Sequence, residues 1–163
     1  MALVVALAGA LVWVVYGTLE MRVIVAGDKA PDFQVVTDTG HVISRDKFGG
    51  KLLVLNFWAS WCPPCIEETP SLNAFTTALA PRGVVVLGIS IDANESFYKR
   101  FIRSQQVTFQ TSRDPEAEIS SSYGTVQIPE TYIIDRSGRV IEKIISNQNW
   151  MDPEFLKHVQ SLL

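Results

Sequence analysis

The sequence predicts an α/β domain in which helices flank a central mixed sheet. Near-continuous apolar runs at Leu52–Trp58 and residues 84–91 are typical of strands buried on both faces of a sheet, and helical stretches alternate with them. The 163 residues suffice for one core of ordinary size. Acidic residues number 17 against 14 basic ones and no cationic run occurs, so nucleic acid is not an expected partner.

The N-terminus carries a long apolar stretch. Residues 2–19 are uncharged, and about 20 apolar residues span a bilayer as a helix, so we expect residues 1–19 to be a transmembrane anchor. Residues 20–30 are then a tether to a domain of residues 31–163. A cleaved signal peptide and a buried core helix are the alternatives. The stretch continues well past the Ala-Gly-Ala of a cleavage site and has no polar face, which favours the anchor.

A hairpin and a strand–helix–strand unit are predicted after the tether. Residues 33–37 and 41–44 flank Asp-Thr-Gly, a turn that favours a β-hairpin ahead of the main sheet. Between the two apolar runs, Pro-Pro at residues 63–64 suits the first turn of a helix. The apolar face of that helix recurs at Cys65, Leu72, Phe75 and Leu79. This order of elements predicts a parallel strand pair with a right-handed crossover.

The remaining elements complete the α/β pattern. They are a helix over residues 94–104, a shorter helix over 116–123, a hairpin of strands 131–134 and 140–145, and a last helix with Asp152 as N-cap and Pro153 at its first position. In the first of these helices, Phe97, Phe101 and Ile102 are spaced for burial. The apolar stripe of the last helix comprises Phe155, Leu156, Val159, Leu162 and Leu163.

The chain has two cysteines, and both lie in one motif. Residues 61–65 read Trp-Cys-Pro-Pro-Cys directly after an apolar strand, so Cys62 falls at the N-terminus of the following helix. The free N–H groups and the positive dipole end of a helix stabilise a thiolate, which makes Cys62 the predicted nucleophile, facing outward. Cys65 lies one turn further, on the apolar side of the helix. We expect it to be the buried resolving thiol.

Two other uses of a Cys-x-x-Cys pair are disfavoured. A zinc site needs a second pair of ligands, and the two histidines, His41 and His158, fall in the hairpin and in the last helix. A structural disulfide between residues three apart closes too small a loop to stabilise the fold much. The expected chemistry is redox exchange that uses no metal and no other cofactor.

Three segments make the sequence resemble the thioredoxin superfamily, and within it the membrane-anchored reductases of the ResA, TlpA and CcmG (DsbE) type. They are residues 27–33 (Gly-Asp-Lys-Ala-Pro-Asp-Phe), residues 55–65, which end in the cysteine motif, and residues 128–135 (Ile-Pro-Glu-Thr-Tyr-Ile-Ile-Asp). The resemblance covers nearly all of residues 27–163. It implies a thioredoxin-like fold with an extra strand and helix between residues 91 and 127.

The resemblance also implies which residues bind substrate. Pro129 falls where the superfamily has a cis-proline beside the cysteine pair, and the Ile128 backbone would pair with an extended substrate segment. Trp61 would flank the nucleophile and shape the contact surface.

Glu68 is the predicted proton acceptor for the buried thiol. It shares the inward face of the helix with Cys65, whereas Glu67 does not. By resemblance, Asn56 replaces the buried aspartate of thioredoxin and cannot accept a proton, while Glu68 matches the active-site glutamate of ResA. The alternative is a simple helix-start charge, because the helix dipole favours acids there.

By resemblance, the protein reduces protein disulfides at a bacterial cell membrane, with its catalytic domain on the periplasmic or extracytoplasmic side. The candidate substrate is apocytochrome c during cytochrome c maturation, with a general reductase of the TlpA kind close behind, and an integral-membrane thiol–disulfide carrier would supply electrons. The alternatives are a thiol peroxidase of the redoxin group, which shares the motif at residues 27–33, and a copper-binding chaperone, whose cysteines are spaced by three residues rather than two.

Overall fold

A computed structural model of the chain describes residues 7, 9–11 and 23–163. The predicted anchor of residues 1–19 therefore lies mostly outside the described residues. Among the residues that are described, no helix has the length and apolar character needed to cross a bilayer.

Seven strands and four α-helices form residues 23–163. They are β1 (Gln34–Val36), β2 (Val42–Ser44), β3 (Leu52–Trp58), α1 (Pro63–Leu79), β4 (Val84–Ser90), α2 (Glu95–Ser104), β5 (Gln110–Arg113), α3 (Glu118–Ser122), β6 (Glu130–Asp135), β7 (Val140–Ile145) and α4 (Pro153–Ser161). The bounds agree with the predicted elements to within about two residues, and β5 is the extra strand that the resemblance implies.

The strands form a five-stranded mixed sheet of order β5-β4-β3-β6-β7 and a separate hairpin of β1 and β2. The central strand β3 runs parallel to β4 and antiparallel to β6, and α1 links the parallel pair. The edge strand β5 is parallel to β4, and β7 is antiparallel to β6. The mixed α/β sheet and the parallel pair are thus confirmed.

Every residue of β3 is buried because both faces of the sheet are covered. Leu53, Leu55 and Phe57 belong to the cluster that the β1–β2 hairpin helps to cover. Leu52 and Val54 belong to the cluster on the other face, under α1 and α4. The near-continuous apolar run of β3 follows from this double burial.

The start of the domain lies earlier than Pro31. The Ile24 side chain is buried, and its backbone N–H donates to the Tyr123 carbonyl over 3.1 Å. Gly27 N–H donates to the Val140 carbonyl over 2.8 Å. The described part of the predicted tether is therefore packed on the domain, because it contributes apolar surface and backbone hydrogen bonds to it.

The helix α2 buries Phe101 and partly buries Ile102 as predicted, but Tyr98 takes the place of Phe97. Asn94 caps it, with the side-chain oxygen accepting from Ser96 N–H over 2.9 Å. Tyr98 and Phe101 point inward, whereas Phe97 is 51% exposed. The prediction that Phe97 is buried is wrong. Tyr98 and Phe101, three residues apart, form the inward face of the helix, and the Tyr98 hydroxyl finds polar partners there.

Candidate active site

Cys62 and Cys65 form a disulfide at the start of α1. Cys62 is the N-cap residue, and its Sγ accepts the backbone N–H of Cys65 over 3.3 Å. The next two residues, Pro63 and Pro64, lack the N–H groups that would otherwise remain without partners in the first turn. The predicted position of Cys62 at the helix N-terminus is confirmed.

Both cysteines are buried in the disulfide form. Cys62 is 3% and Cys65 1% exposed. The Sγ of Cys62 lies 3.6 Å from the carbonyl oxygen of Ile128. The Ile128 side chain packs on the hydrophobic cluster that contains both cysteines. The expectation that Cys62 faces outward is therefore wrong for this state, because a residue 66 positions away in the chain lies against it.

The segment around Ile128 brings the predicted substrate-binding residues together. The Ile128–Pro129 peptide bond is cis, as the resemblance implies. A depression of about 390 Å³ beside it, the Ile128 groove, is lined by residues that include Trp61, Val126 and Ile128. Trp61 is 64% exposed at its edge. Trp61 and Ile128 thus line one depression next to Cys62.

Glu130 anchors the backbone that follows Pro129. Its carboxylate is buried and lies 3.3 Å from the Lys143 ammonium. The other carboxylate oxygen accepts the Thr125 hydroxyl over 2.7 Å and also the Tyr132 hydroxyl. Removing one partner of a buried ion pair is costly, because it leaves an uncompensated buried charge. The segment at Thr125 is consequently linked through Glu130 to both β6 and β7.

Glu68 lies beneath the redox pair, in the helical turn after Cys65. It is 4% exposed, and three donors converge on its carboxylate. Asn56 Nδ2 donates to Oε1 over 2.9 Å, while Gln148 N–H and Trp150 Nε1 each donate to Oε2 over 3.2 Å. Burial raises the pKa of Glu68 above its ordinary value, against the opposing effect of these hydrogen bonds.

The placement of the two neighbouring glutamates follows the predicted helix face. Glu67 is exposed, and its carboxylate accepts the Asn147 amide over 3.1 Å. Residues three apart on a helix have Cβ atoms about 5–6 Å from each other, so Glu68 and Cys65 are neighbours on the buried face. Glu68 is thereby the acidic residue of α1 that shares the buried helix face with Cys65.

The sequence did not predict the hydrogen-bond role of Asn56, nor that Gln148 and Trp150 belong to this site. Asn56 also donates to Thr131 Oγ1 over 2.9 Å, so it links Glu68 to the strand after the cis-proline. A single polar residue in a fully buried strand signals that it needs a partner, although it does not name that partner. Gln148 and Trp150 lie 80 and 82 residues from Glu68, and no local pattern indicates them.

Asp92 was also missed, and it holds the turn before Cys62. Its buried carboxylate accepts the Ser60 N–H over 2.9 Å and the Ser60 hydroxyl over 2.7 Å. The Ser90 hydroxyl donates to the same group over 2.7 Å. A lone acid after the apolar run of β4 was the available signal. Asp92 thus ties the turn that carries Trp61 to the end of β4.

Among the residues that the structure describes, no three His, Cys, Asp or Glu side chains come close enough to hold a metal ion. His41 contacts Thr39 and Gln110 at the hairpin tip, and His158 lies 2.8 Å from the Glu142 carboxylate.

A redox disulfide at a helix start, next to a cis-proline at the same end of the sheet, defines the class of the protein. It is a thiol-disulfide oxidoreductase of thioredoxin-like fold. Residues 26–143 match the AhpC/TSA family, and the chain belongs to that family.

Comparison with known relatives shows which type of thiol-disulfide oxidoreductase the chain is similar to. The thiol-disulfide oxidoreductase ResA of Bacillus thuringiensis subsp. konkukian is 32% identical over 134 residues, which are 82% of this chain and 78% of that protein. The structure of a thiol:disulfide interchange protein DsbE from Chlorobium tepidum aligns with a TM-score of 0.73 at 28% identity, over 86% of this chain and 96% of that one. The protein is therefore similar to the ResA and CcmG (DsbE) type of oxidoreductase.

StoA from Bacillus subtilis has the same fold. It aligns with a TM-score of 0.68 at 24% identity, over 82% of this chain and 96% of that one. At this identity the likeness supports the thioredoxin-like fold alone.

Proposed function

We propose that the protein reduces disulfides in proteins outside the cytoplasm, and that apocytochrome c is its candidate substrate. The observation that carries the proposal is the Cys62–Cys65 disulfide at the start of α1, with Cys62 Sγ 3.6 Å from the Ile128 carbonyl oxygen. A cysteine at this position can attack a disulfide in a chain that lies along the Ile128 groove. The similarity to ResA and DsbE supports thiol–disulfide exchange, and reduction as its direction is part of the proposal.

The reaction has two exchange steps. In the reduced enzyme, the Cys62 thiolate attacks one substrate sulfur, the substrate disulfide breaks, and the released substrate thiolate takes up a proton. Cys65 then transfers its proton to the ionised Glu68 carboxylate and attacks Cys62 Sγ. This breaks the mixed disulfide, releases the second substrate sulfur as a thiolate that takes up a proton from solvent, and leaves the Cys62–Cys65 disulfide. Two electrons pass from enzyme to substrate, and Glu68 returns its proton to solvent.

Ile128, Pro129 and Trp61 would position the substrate. An extended segment paired with the Ile128 backbone brings its sulfur against Cys62, because Ile128 and Cys62 are already in contact. Trp61 offers an exposed aromatic surface at the edge of the same groove. These residues determine how the substrate disulfide is presented.

The apolar residues 2–19 support a single-pass anchor in a bacterial cell membrane, with the domain on the periplasmic or extracytoplasmic side. An enzyme that leaves each cycle oxidised needs a fresh supply of electrons. An integral-membrane thiol–disulfide carrier would supply them there.

Trapping of the mixed disulfide tests the proposal. A Cys65→Ser protein should accumulate a mixed disulfide with an oxidised Cys-x-x-Cys-His peptide, the haem-attachment sequence of c-type cytochromes, whereas Cys62→Ser should not. The reverse pattern contradicts the assignment of the nucleophile. Faster turnover of hydrogen peroxide than of the peptide favours the peroxidase alternative, and tight Cu(I) binding favours the copper chaperone.

A further inference from the structure

A second depression opens beside the redox pair, between the start of α1 and α2. This α2 groove has a volume of about 310 Å³, and its walls include Trp61, Ile66, Phe97, Phe101 and Arg100. Trp61 lines the Ile128 groove as well, so the two depressions meet at the residue that precedes Cys62. A chain bound in one groove can therefore continue into the other.

Large apolar side chains of the α2 groove are open to solvent. Trp61, Phe97 and Ile66 are 64%, 51% and 37% exposed. Phe97 remains outside because α2 buries Tyr98 and Phe101 instead. A cluster of exposed aromatic and aliphatic groups in a concave surface is typical of a site that binds another protein.

Arg100 gives this apolar surface a positive charge. Its guanidinium carbon lies 5.8 Å from the centre of the Phe97 ring, in the geometry of a cation–π contact. Within residues 23–163, Arg100 takes part in no ion pair, whereas its neighbour Lys99 is paired with Glu95. A guanidinium stacked on an aromatic wall keeps its N–H donors available for a carboxylate.

We propose that the α2 groove binds the segment of a partner protein next to its reacting cysteine, and that Arg100 selects partners with Asp or Glu close to that cysteine. The inference rests on the proposed function, since the partner is the disulfide protein that Cys62 attacks. The partner chain lies along Ile128, crosses Trp61 and places apolar side chains against Phe97. Its carboxylate then meets Arg100.

Matched peptide substrates test this selection. Each peptide contains one disulfide, and the peptides differ only in carrying Asp, Asn or Lys at one position on either side of the attacked cysteine. Their reduction is measured with the parent protein and with the variants Arg100→Glu, Arg100→Lys and Arg103→Glu. Arg103 lies one turn further on α2 and does not line the groove. At the best position, the parent should prefer Asp over Asn in kcat/KM by about two- to fivefold at low salt, the range of an exposed ion pair.

Arg100→Glu should reverse the order of the Asp and Lys peptides, Arg100→Lys should retain a preference for Asp, and high salt should abolish the preference. Arg103→Glu should keep the order of the parent. An unchanged order in Arg100→Glu, or equal changes in Arg100→Glu and Arg103→Glu, overturns the proposal. If the parent reduces none of the peptides, the proposed reductase function is wrong. The charge preference of the α2 groove can then still be measured without turnover, from the equilibria of mixed-disulfide formation between the Cys65→Ser protein and the same peptides.

Discussion

Replacing Glu68 by glutamine tests the proton acceptor most directly. Glutamine has nearly the same shape but cannot take a proton from Cys65. General-base catalysis contributes about 10²–10⁴-fold, so the variant should resolve mixed disulfides at least about 100-fold more slowly. This loss corresponds to about 2.7 kcal/mol in the activation barrier.

The contacts of Glu68 indicate that this variant folds. The side-chain oxygen of a glutamine can accept Gln148 N–H and Trp150 Nε1–H, which both donate to Oε2 of the glutamate. Its amide nitrogen then faces Asn56, whose own amide can rotate to present an oxygen. Each bond loses about 1 kcal/mol as the acceptor becomes neutral. Relief from burying a carboxylate offsets this loss, because that burial costs several kcal/mol.

The pH dependence of stability has a defined sign. The pKa of Glu68 is raised in the folded protein, so the folded state binds this proton more tightly than the unfolded state. The parent should therefore lose stability as pH rises from the ordinary glutamate pKa through the raised value. Glu68→Gln lacks this titration, and its stability relative to the parent should improve over that interval. Urea unfolding at a series of pH values measures the difference.

Stopped-flow reduction of a preformed mixed disulfide and the pH profile of Cys62 alkylation are the kinetic measurements. An ionised Glu68 disfavours the nearby thiolate, so Glu68→Gln should give a single Cys62 titration at lower pH than the parent. Glu67→Gln is the matched control, because Glu67 is exposed and belongs to the same helical turn. If Glu68→Gln matches the parent in both measurements, Glu68 is only a helix-start charge.

Two further predictions concern Asp92 and the N-terminus. Asp92→Ala leaves the half-buried Ser60 N–H and two hydroxyls without their acceptor, and should lower the free energy of unfolding by about 2–4 kcal/mol in urea titrations. Asp92→Asn should lose less, and a change below about 0.5 kcal/mol in the alanine variant contradicts this role. The intact chain should stay with membranes after carbonate extraction, whereas a soluble mature form that starts near Leu11 indicates a cleaved signal peptide.

Local signals made part of this structure predictable. The strand β3 is an apolar run of seven residues, and α1 follows from two prolines and a helical stripe, so the position of the redox pair between them depends on neighbouring residues alone. Strand β5 reads Gln-Thr-Ser-Arg and has no such run. It is a strand because it pairs with the edge of β4, which is a tertiary effect that overrides propensity.

The surroundings of the redox pair depend on contacts distant in the chain. Cys62 is buried because Ile128 lies against it, and Glu68 is surrounded by three donors from two other segments. A helical pattern predicts that Glu68 faces inward, but it does not predict what the carboxylate meets there. The sequence of α2 is ambiguous in the same way. Helical spacing is compatible with an inward face that contains Phe97 and with one that contains Tyr98, so it does not predict which of the two is buried.

The hydrogen bond between Asn56 and Glu68 explains how one buried carboxyl group can serve this site without a second one beside it. An aspartate at position 56 would place two carboxylates within hydrogen-bonding distance, where both cannot ionise readily. Asn56 donates to the ionised Glu68, and after a half-turn of its amide it accepts from the protonated form. The Thr131 hydroxyl can reverse its role in the same rotation, because a hydroxyl both donates and accepts. Glu68 can therefore keep Asn56 as a hydrogen-bond partner in both its ionised and its protonated form.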